Sequence, residues 1–357
     1  MEIRHQVYCL YHSTADHMMC EYFLNFINIL LAPLFSLSIF ELFLFFLVKM
    51  IANFLASQYN YITFTIIYKQ ECSTMRIQVT SDSTCDLLPE YLETHHVEIL
   101  PLYIIMNGKT YRDGVDISPS EIFAHVSAGG DLCTTAASNV DDYGNMFSRL
   151  LQQSDAIIHI SISAEFSSCY QNAHTAALDF PDRVFVVDSR NLSSGHGHIV
   201  CEAVKMAEAG VLPPSEIAKE LQALTNRVEA SFLLDRLDYI RKGGRCSAIV
   251  ALGANLLNLK PCINVVDGKM KVGKKYRGKY EKCILEYVRD RLQNRDDIVY
   301  ERIFITHTSV ENGLVDKIRE AIQTYAPFTE IIETEAGCTI SCHCGPNTLG
   351  ILFIRSK

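Results

Sequence analysis

The sequence lacks both an excess of basic residues and an ordered framework of cysteines, and each absence excludes a class of protein. Its 32 lysines and arginines are outnumbered by 41 aspartates and glutamates, which gives a formal net charge of −9. A nucleic-acid-binding protein normally presents a basic face, so this charge argues against one. The 13 cysteines are scattered without regular spacing, and no cleavable signal segment precedes them. Free thiols in a reducing cytoplasm are therefore expected.

Motifs of catalysis and metal binding are missing as well. No G-x-S-x-G sequence marks a nucleophilic serine at a strand-to-helix turn. Cys338, Cys342 and Cys344 follow a C-x3-C-x-C spacing, whereas zinc sites are dominated by C-x2-C pairs. We therefore predict no metal and no cofactor. The segment 343–346 is instead interpreted as a tight turn that presents His343 in a cleft, where an imidazole can hydrogen-bond a carboxylate.

The first 74 residues differ in composition from the rest of the chain. They contain no glycine and are rich in Phe, Leu, Ile, Asn and Tyr, a bias typical of translated AT-rich DNA. Residues 23–48 form an apolar run long enough to span a bilayer, but Asn, Pro and Glu interrupt it. We expect residues 1–74 to lie outside the fold, and a membrane contact through residues 23–48 is the alternative.

From Met75 onward, short apolar runs alternate with stretches of helical length. Ile77–Thr80 is predicted as the first strand, and Val97–Met106 as a strand that turns back at Asn107-Gly108. Ser118 is predicted as a helix N-cap, with a proline and a glutamate in the positions of a capping box. Strands that alternate with helices in this way predict βαβ units and a parallel sheet.

The pattern of predicted elements changes near Ala230, where hairpin turns and longer strand patterns replace the alternating strands and helices. We place a domain boundary in this region. The prediction is an α/β protein with an N-terminal domain at residues 75–228 and a C-terminal α/β domain at residues 229–357.

Hydroxyl-rich turns recur through the N-terminal half. They are Ser81–Thr84, Thr134–Ser138, Ser167-Ser168 and Ser193-Ser194. None contains lysine or arginine, which favours a carboxylate held by neutral hydrogen-bond donors over a phosphate held by charge. Within the first turn, Ser81, Asp82 and Ser83 are interpreted as a supporting wall of the site. Ser193-Ser194 is interpreted as a helix cap.

A basic segment surrounds Gly243-Gly244. Arg241, Lys242 and Arg245 are either cations at a helix C-terminus or a patch for a partner. The segment is too short for a phosphate-binding loop.

Together these segments resemble the DegV family, which includes the fatty-acid-binding subunits of bacterial fatty acid kinases. The resemblance covers Met75 to Lys357. It is carried by V-T-S-D-S-T-C-D-L-L-P (79–89), Y-R-D-G-V-D-I (111–117), T-T-A-A-S (134–138), S-A-E-F-S-S-C-Y-Q-N-A (163–173), L-D-Y-I-R-K-G-G-R (237–245), L-L-N-L-K-P (256–261) and H-C-G-P-N-T-L-G (343–350).

The resemblance implies a two-domain fold with a long-chain fatty acid in a tunnel between the domains. Its carboxylate would lie at Thr134, with Thr135 adjacent, and at Ser167 and His343. The family's protein is not the catalyst but presents the carboxylate to a separate ATP-dependent kinase, which forms the acyl phosphate. A docking role for Arg245 toward this kinase, with Arg241 or Lys242 nearby, is a hypothesis from the exposure expected at a Gly-Gly turn.

The sequence also departs from the family's pattern. Ala136-Ala137 replaces Gln-Pro, Ser168-Cys169 replaces Gly-Thr, and Asn347 replaces a glycine. Ser168 and Asn347 therefore stand where residues free to adopt positive φ are usual. A serine hydrolase using Ser167, with His343 as its base, is the alternative function, although the sequence identifies no acidic partner for the histidine.

Overall fold

Three β-sheets and their connecting helices make up the part of the chain that the computed structural model describes, residues 47–50, 75–250 and 259–357. The strands are β1 (Ile77–Asp82), β2 (Glu98–Leu100), β3 (Tyr103–Met106), β4 (Lys109–Arg112), β5 (Thr134–Ala136), β6 (Ala156–Ser161), β7 (Val184–Asp188), β8 (Val228–Leu233), β9 (Leu259–Val266), β10 (Lys269–Arg277), β11 (Ile298–His307), β12 (Glu330–Glu335) and β13 (Leu349–Arg355).

Helices connect many of these strands after Met75. They are α1 (Pro89–Thr94), α2 (Pro119–Ser127), α3 (Val140–Leu150), α4 (Cys169–Ala177), α5 (Ser193–Ala209), α6 (Pro214–Leu224), α7 (Asp238–Gly243), α8 (Ser247–Val250), α9 (Tyr280–Leu292), α10 (Leu314–Tyr325) and α11 (Cys338–Cys344). Residues 47–50 are also helical. Within these ranges, no helix is both long enough and apolar enough to cross a membrane. The predicted extension at 1–74 and its apolar run at 23–48 lie almost wholly outside the described residues.

A parallel sheet of order β2-β1-β6-β7 forms the first layer. Every residue of its central strand β6 is buried, as expected for a parallel strand covered on both faces. The predicted parallel sheet is thus confirmed. A second sheet, of order β4-β3-β5, is antiparallel. The third has order β10-β9-β8-β13-β11-β12, and among its neighbours only β11 and β12 run parallel.

The predicted strand over Val97–Met106 is wrong in one respect: two strands occupy it, and they belong to different sheets. β2 pairs with β1, whereas β3 pairs with β4 and β5. The break falls at Pro101, which has no N–H for a strand ladder. The hairpin turn is confirmed, because Asn107 and Gly108 both adopt positive φ, at 52° and 71°.

Helix signals in the sequence are also confirmed. Ser118 and Glu121 form a reciprocal capping box at the start of α2. α5 ends at Gly210, which adopts φ +58°. The first part of α5 is buried on all sides, and its apolar residues join the parallel sheet and the six-stranded sheet in one continuous core. The division at residue 228 stays a prediction, although the six-stranded sheet does begin there with β8.

Candidate functional site

A small cavity of about 50 Å³ lies among loops and strand ends of all three sheets. Its wall is mostly apolar, with contributions from Leu102, Ile162, Phe166, Leu192, Met270 and Ile340. The polar groups of the wall are Thr135, Ser167, Arg245, Thr339 and His343. Three of the four predicted carboxylate-binding residues therefore lie around one space.

His343 and Thr135 form the polar centre of this wall. The Thr135 Oγ1 and His343 Nε2 atoms are 2.9 Å apart and hydrogen-bonded across 208 residues of sequence. His343 Nδ1 has no hydrogen-bond partner within the described ranges. Burial, assisted by the positive charge of Arg245, lowers the pKa of His343 to about 4. The imidazole is therefore neutral near pH 7 and acts as a hydrogen-bond donor and acceptor rather than as a fixed cation.

Thr134 lies on the other side of its strand. Successive side chains of a strand point to opposite faces, so only one of two adjacent threonines in β5 faces the cavity. Thr135 does so, whereas Thr134 is exposed and absent from the cavity wall. The structure thus favours Thr135 as the hydroxyl beside His343.

Ser167 is held by the start of α4. Its hydroxyl donates to Cys169 Sγ at 3.0 Å and accepts from the Cys169 N–H at 3.3 Å. Ser168 adopts φ −77°, so this turn requires no glycine. Asn347, in contrast, does adopt positive φ, at 56°, a conformation that asparagine tolerates better than most residues.

His343 lies near the end of α11, and the tight turn predicted for 343–346 is wrong at its first two residues. The helix continues through Cys344 and ends at Gly345, which has φ +73°.

The three cysteines of α11 are packing residues. Cys338 and Cys342 pack into a small apolar cluster with Ile104, while Cys344 belongs to the main core. Because the three thiols enter two different cores, their spacing reflects packing. In the described ranges, no group of His, Cys, Asp or Glu could hold a metal ion.

A glycine makes room for the His343 ring. A Cβ atom built on Gly243 would lie under 3.0 Å from His343 Nδ1, and 3.1 and 3.2 Å from Cε1 and Cγ. Gly243 and Gly244 therefore have different roles. Gly244 adopts φ +71° and ends α7, whereas Gly243 allows α7 to approach the imidazole. Sequence inspection alone could not detect this second role.

Arg245 lies at the exposed edge of the cavity. Its Nε atom donates to the Phe166 carbonyl at 3.3 Å and its NH1 atom to the Gly243 carbonyl at 2.7 Å. Lys242 is exposed and Arg241 is half-buried, and neither lines the cavity. Sequence reasoning placed Arg245 on a partner surface but did not place its guanidinium beside the candidate ligand.

The three residues interpreted as a supporting wall lie behind the cavity. Asp82 Oδ2 accepts from the Ser161 hydroxyl at 2.7 Å and from the Ile162 N–H at 2.9 Å. Burial raises the pKa of Asp82, but the His159 imidazole, whose Nε2 atom lies 3.4 Å from Asp82 Oδ1, and the hydroxyl of Tyr143, which donates to Oδ1 at 2.6 Å, lower the pKa below its ordinary value. Asp82 thus holds the backbone of Ile162, which does line the cavity.

The neighbouring hydroxyls make structural contacts. Ser81 Oγ is hydrogen-bonded to His196 Nε2 at 2.9 Å, and Ser83 donates to Asp113 Oδ2 at 3.0 Å. The interpretation of Ser193-Ser194 as a helix cap is wrong, because no side chain caps α5. Ser193 donates instead to Asp86, and Ser194 shares a hydrogen bond with Thr306.

A second cavity, of about 30 Å³, adjoins the first. Its wall includes Phe232, Leu352 and Thr306, and it shares Leu192, Ile340 and Cys344 with the first cavity. The two spaces therefore share part of their wall, and neither Thr135 nor His343 lines the second one.

The arrangement does not support a serine hydrolase. The hydrogen bonds of Ser167 go to Cys169, and the ring of His343 is hydrogen-bonded to the Thr135 hydroxyl. The charged group that acts on the imidazole is a cation, Arg245. A base in a catalytic triad is instead oriented by a carboxylate.

Comparison with known proteins agrees with the fold. Residues 76–356 match a family model whose description is "Uncharacterised protein, DegV family". The chain belongs to the DegV family. A DegV domain-containing protein from Caldanaerobacter subterraneus is 33% identical to it over 281 residues, which are 78% of this chain and 98% of the relative.

Solved DegV structures share the fold. A DegV family protein from Thermus thermophilus, described by its fatty acid binding, is 30% identical with a TM-score of 0.71, covering 79% of this chain and 100% of that one. A stearic-acid-binding protein from Eubacterium ventriosum is 26% identical with a TM-score of 0.67, covering 78% and 98%. The expected DegV-like α/β fold is confirmed.

Proposed function

We propose that this DegV family protein binds a long-chain fatty acid, with the acyl carboxylate at Thr135, Ser167 and His343. The observation that carries the proposal is the grouping of these three side chains in the wall of a mostly apolar cavity that adjoins a second cavity. A buried carboxylate is costly unless hydrogen-bond donors satisfy it. Two hydroxyls and a neutral imidazole can do so, and Arg245 at the exposed edge adds a favourable charge.

Burial of the apolar acyl chain would supply the binding energy. A sixteen-carbon chain offers roughly 12 kcal/mol of gross hydrophobic burial at about 0.8 kcal/mol per methylene, part of which is offset by lost translational and chain freedom. The two cavities, at about 50 and 30 Å³, are far smaller than the ~300 Å³ at the lower end of ligand pockets. We therefore expect the shared wall of Leu192, Ile340 and Cys344 to rearrange around the chain.

We further propose that the protein acts in the cytoplasm and is not itself the catalyst. It would present the carboxylate to a separate ATP-dependent fatty acid kinase, which forms the acyl phosphate. The position of Arg245 supports this role, because a guanidinium at the cavity edge suits both a carboxylate and an acyl phosphate. Arg241 and Lys242 on the adjacent turn of α7 are the proposed docking residues for the kinase.

Lipid extraction and mass spectrometry of the purified protein test the binding proposal. We expect a long-chain fatty acid to co-purify, and a delipidated sample to gain thermal stability when the acid is returned. Absence of both effects would refute the proposal.

Two adjacent threonines provide a matched pair of variants for the carboxylate site. Thr135→Val removes the hydroxyl beside His343, and we expect it to raise the fatty acid Kd roughly tenfold, as for one hydrogen bond to a charged group. Thr134→Val changes the exposed neighbour and should leave Kd unchanged. Equal effects of the two variants would contradict the placement of the carboxylate.

A further inference from the structure

Two buried carboxylates lie at the start of α11, the helix that carries His343. Asp86 is 7% exposed and Asp113 is 4% exposed, and neither lines the cavity. Both come from the N-terminal third of the fold, from the turn after β1 and the turn after β4. Burial of a carboxylate is unfavourable, so the contacts that these two groups make need an explanation.

Both side chains bind the free N–H groups at the start of α11. Asp86 Oδ1 accepts from the Gly337 N–H at 3.0 Å. Asp113 Oδ1 accepts from the Cys338 N–H at 2.9 Å, and its Oδ2 from the Thr339 N–H at 3.2 Å. The first N–H groups of a helix have no partner within the helix, so these carboxyl oxygens satisfy groups that would otherwise be unpaired.

Hydroxyl groups complete the attachment of Asp113. Its Oδ2 atom also accepts from Thr339 Oγ1 at 2.6 Å and from Ser83 Oγ at 3.0 Å. Ser83 Oγ in turn accepts from the Leu102 N–H at 3.1 Å, and Leu102 lines the cavity. One carboxylate therefore links the first turn of α11, through Ser83, to another residue of the cavity wall.

The anchored turn and the functional side chain lie on the same face of α11. Residues four apart in a helix are neighbours on its surface, and His343 follows Thr339 by four positions. Thr339, Ile340 and His343 all line the cavity. Because α11 spans only Cys338–Cys344, a shift of its first turn is transmitted directly to the imidazole.

We propose that Asp113 is a positioning residue for His343: its carboxylate holds the first turn of α11 and thereby sets the direction of the imidazole in the cavity. Asp86 provides a second anchor at Gly337. The role in ligand binding depends on the proposed fatty acid function, but the position of His343 can be measured in the protein without ligand.

Histidine-selective nitrogen-15 NMR tests the proposal, with the His343 signal assigned from His343→Gln. In the ligand-free protein with Asp113→Ala, we expect the His343 pKa to rise from about 4 toward its ordinary value, since a displaced ring leaves its buried place beside Arg245. The matched control is Asp116→Asn, because Asp116 lies three residues further on and is ion-paired with Arg112 at the surface. The control should leave the His343 pKa unchanged.

Fatty acid affinity provides the second measurement. Asp113→Ala should raise Kd roughly tenfold or more, as loss of one hydrogen bond to a charged group predicts, whereas Asp116→Asn should not change it. Should Asp113→Ala fail to fold, Asp113→Asn retains the shape and an acceptor oxygen, and a smaller shift of the His343 pKa in the same direction is expected.

The outcomes separate the two proposals. A folded Asp113 variant with an unchanged His343 pKa and unchanged Kd overturns the positioning role. If the wild-type protein binds no fatty acid, the proposed function fails, and the NMR titration still decides whether Asp113 positions the imidazole.

Discussion

The substitution Gly243→Ala should weaken ligand binding while leaving the fold intact. Gly243 is the last residue of α7 and does not adopt positive φ, so its backbone accommodates alanine. Alanine is favoured over glycine in helices by up to about 1 kcal/mol. The free energy of unfolding should therefore change little, since this gain offsets part of the steric cost at His343.

The steric cost falls on the imidazole. The new Cβ would lie under 3.0 Å from His343 Nδ1, whereas carbon contacts are optimal at about 3.5–4.0 Å. A ring displaced by about 1 Å loses hydrogen-bonding geometry to Thr135 Oγ1, which is now 2.9 Å away. Loss of a hydrogen bond to a charged ligand group costs about 1.5–3 kcal/mol, so Kd should rise roughly 10- to 150-fold.

Titration calorimetry with a sixteen-carbon fatty acid, paired with urea unfolding, measures both quantities. The control is Gly244→Ala. Gly244 has φ +71°, and nothing lies within 4 Å of its added Cβ. This variant should lose about 1 kcal/mol of stability through a strained left-handed alanine and keep its affinity. If Gly243→Ala binds as tightly as wild type, or if both variants lose affinity equally, the reasoning is refuted.

Three further predictions concern stability. Burial raises the pKa of Asp86 to about 8 from an ordinary 3.8. As pH rises, the unfolded chain therefore loses this proton before the folded protein does. Between pH 4 and 8, Asp86 lowers the unfolding free energy by up to ~1.4 kcal/mol for each pH unit. Asp86→Asn should remove this pH dependence of the unfolding free energy, measured by urea titrations from pH 5 to 8. An unchanged pH dependence would contradict the raised pKa of Asp86. Ser118→Ala breaks the capping box with Glu121 and should cost about 1 kcal/mol, seen as a lower urea midpoint. Asn347 has φ +56°, and its side-chain amide donates to Asp235 Oδ2 at 3.2 Å. Asn347→Ala and Asn347→Gly both lose that hydrogen bond, so Asn347→Ala should lower Tm further than Asn347→Gly does; equal Tm values would contradict that explanation.

Features that depend on neighbouring residues could be predicted from the sequence. The capping box at Ser118, the hairpin at Asn107-Gly108 and the helix end at Gly210 each arise from hydrogen bonds or dihedral angles within a few residues. The parallel sheet followed from alternating strands and helices, whose connections leave few topologies open. The sequence predicted a site of hydroxyls and an imidazole without fixed charge, whereas the cavity wall also contains Arg245, a cation that lies outside the hydroxyl-rich turns.

Only the tertiary structure decided which of these groups meet. Strand register in β5 turns Thr135 toward His343 and Thr134 toward solvent, and a one-residue slip would exchange them. The contact of Gly243 with the imidazole and the hydrogen bonds of Asp113 to α11 join residues 100 and more than 220 positions apart. Such contacts depend on packing between distant segments, which leaves no local pattern in the sequence. The sequence therefore determines which side chains are available to the site, and packing between distant segments determines which of them come together.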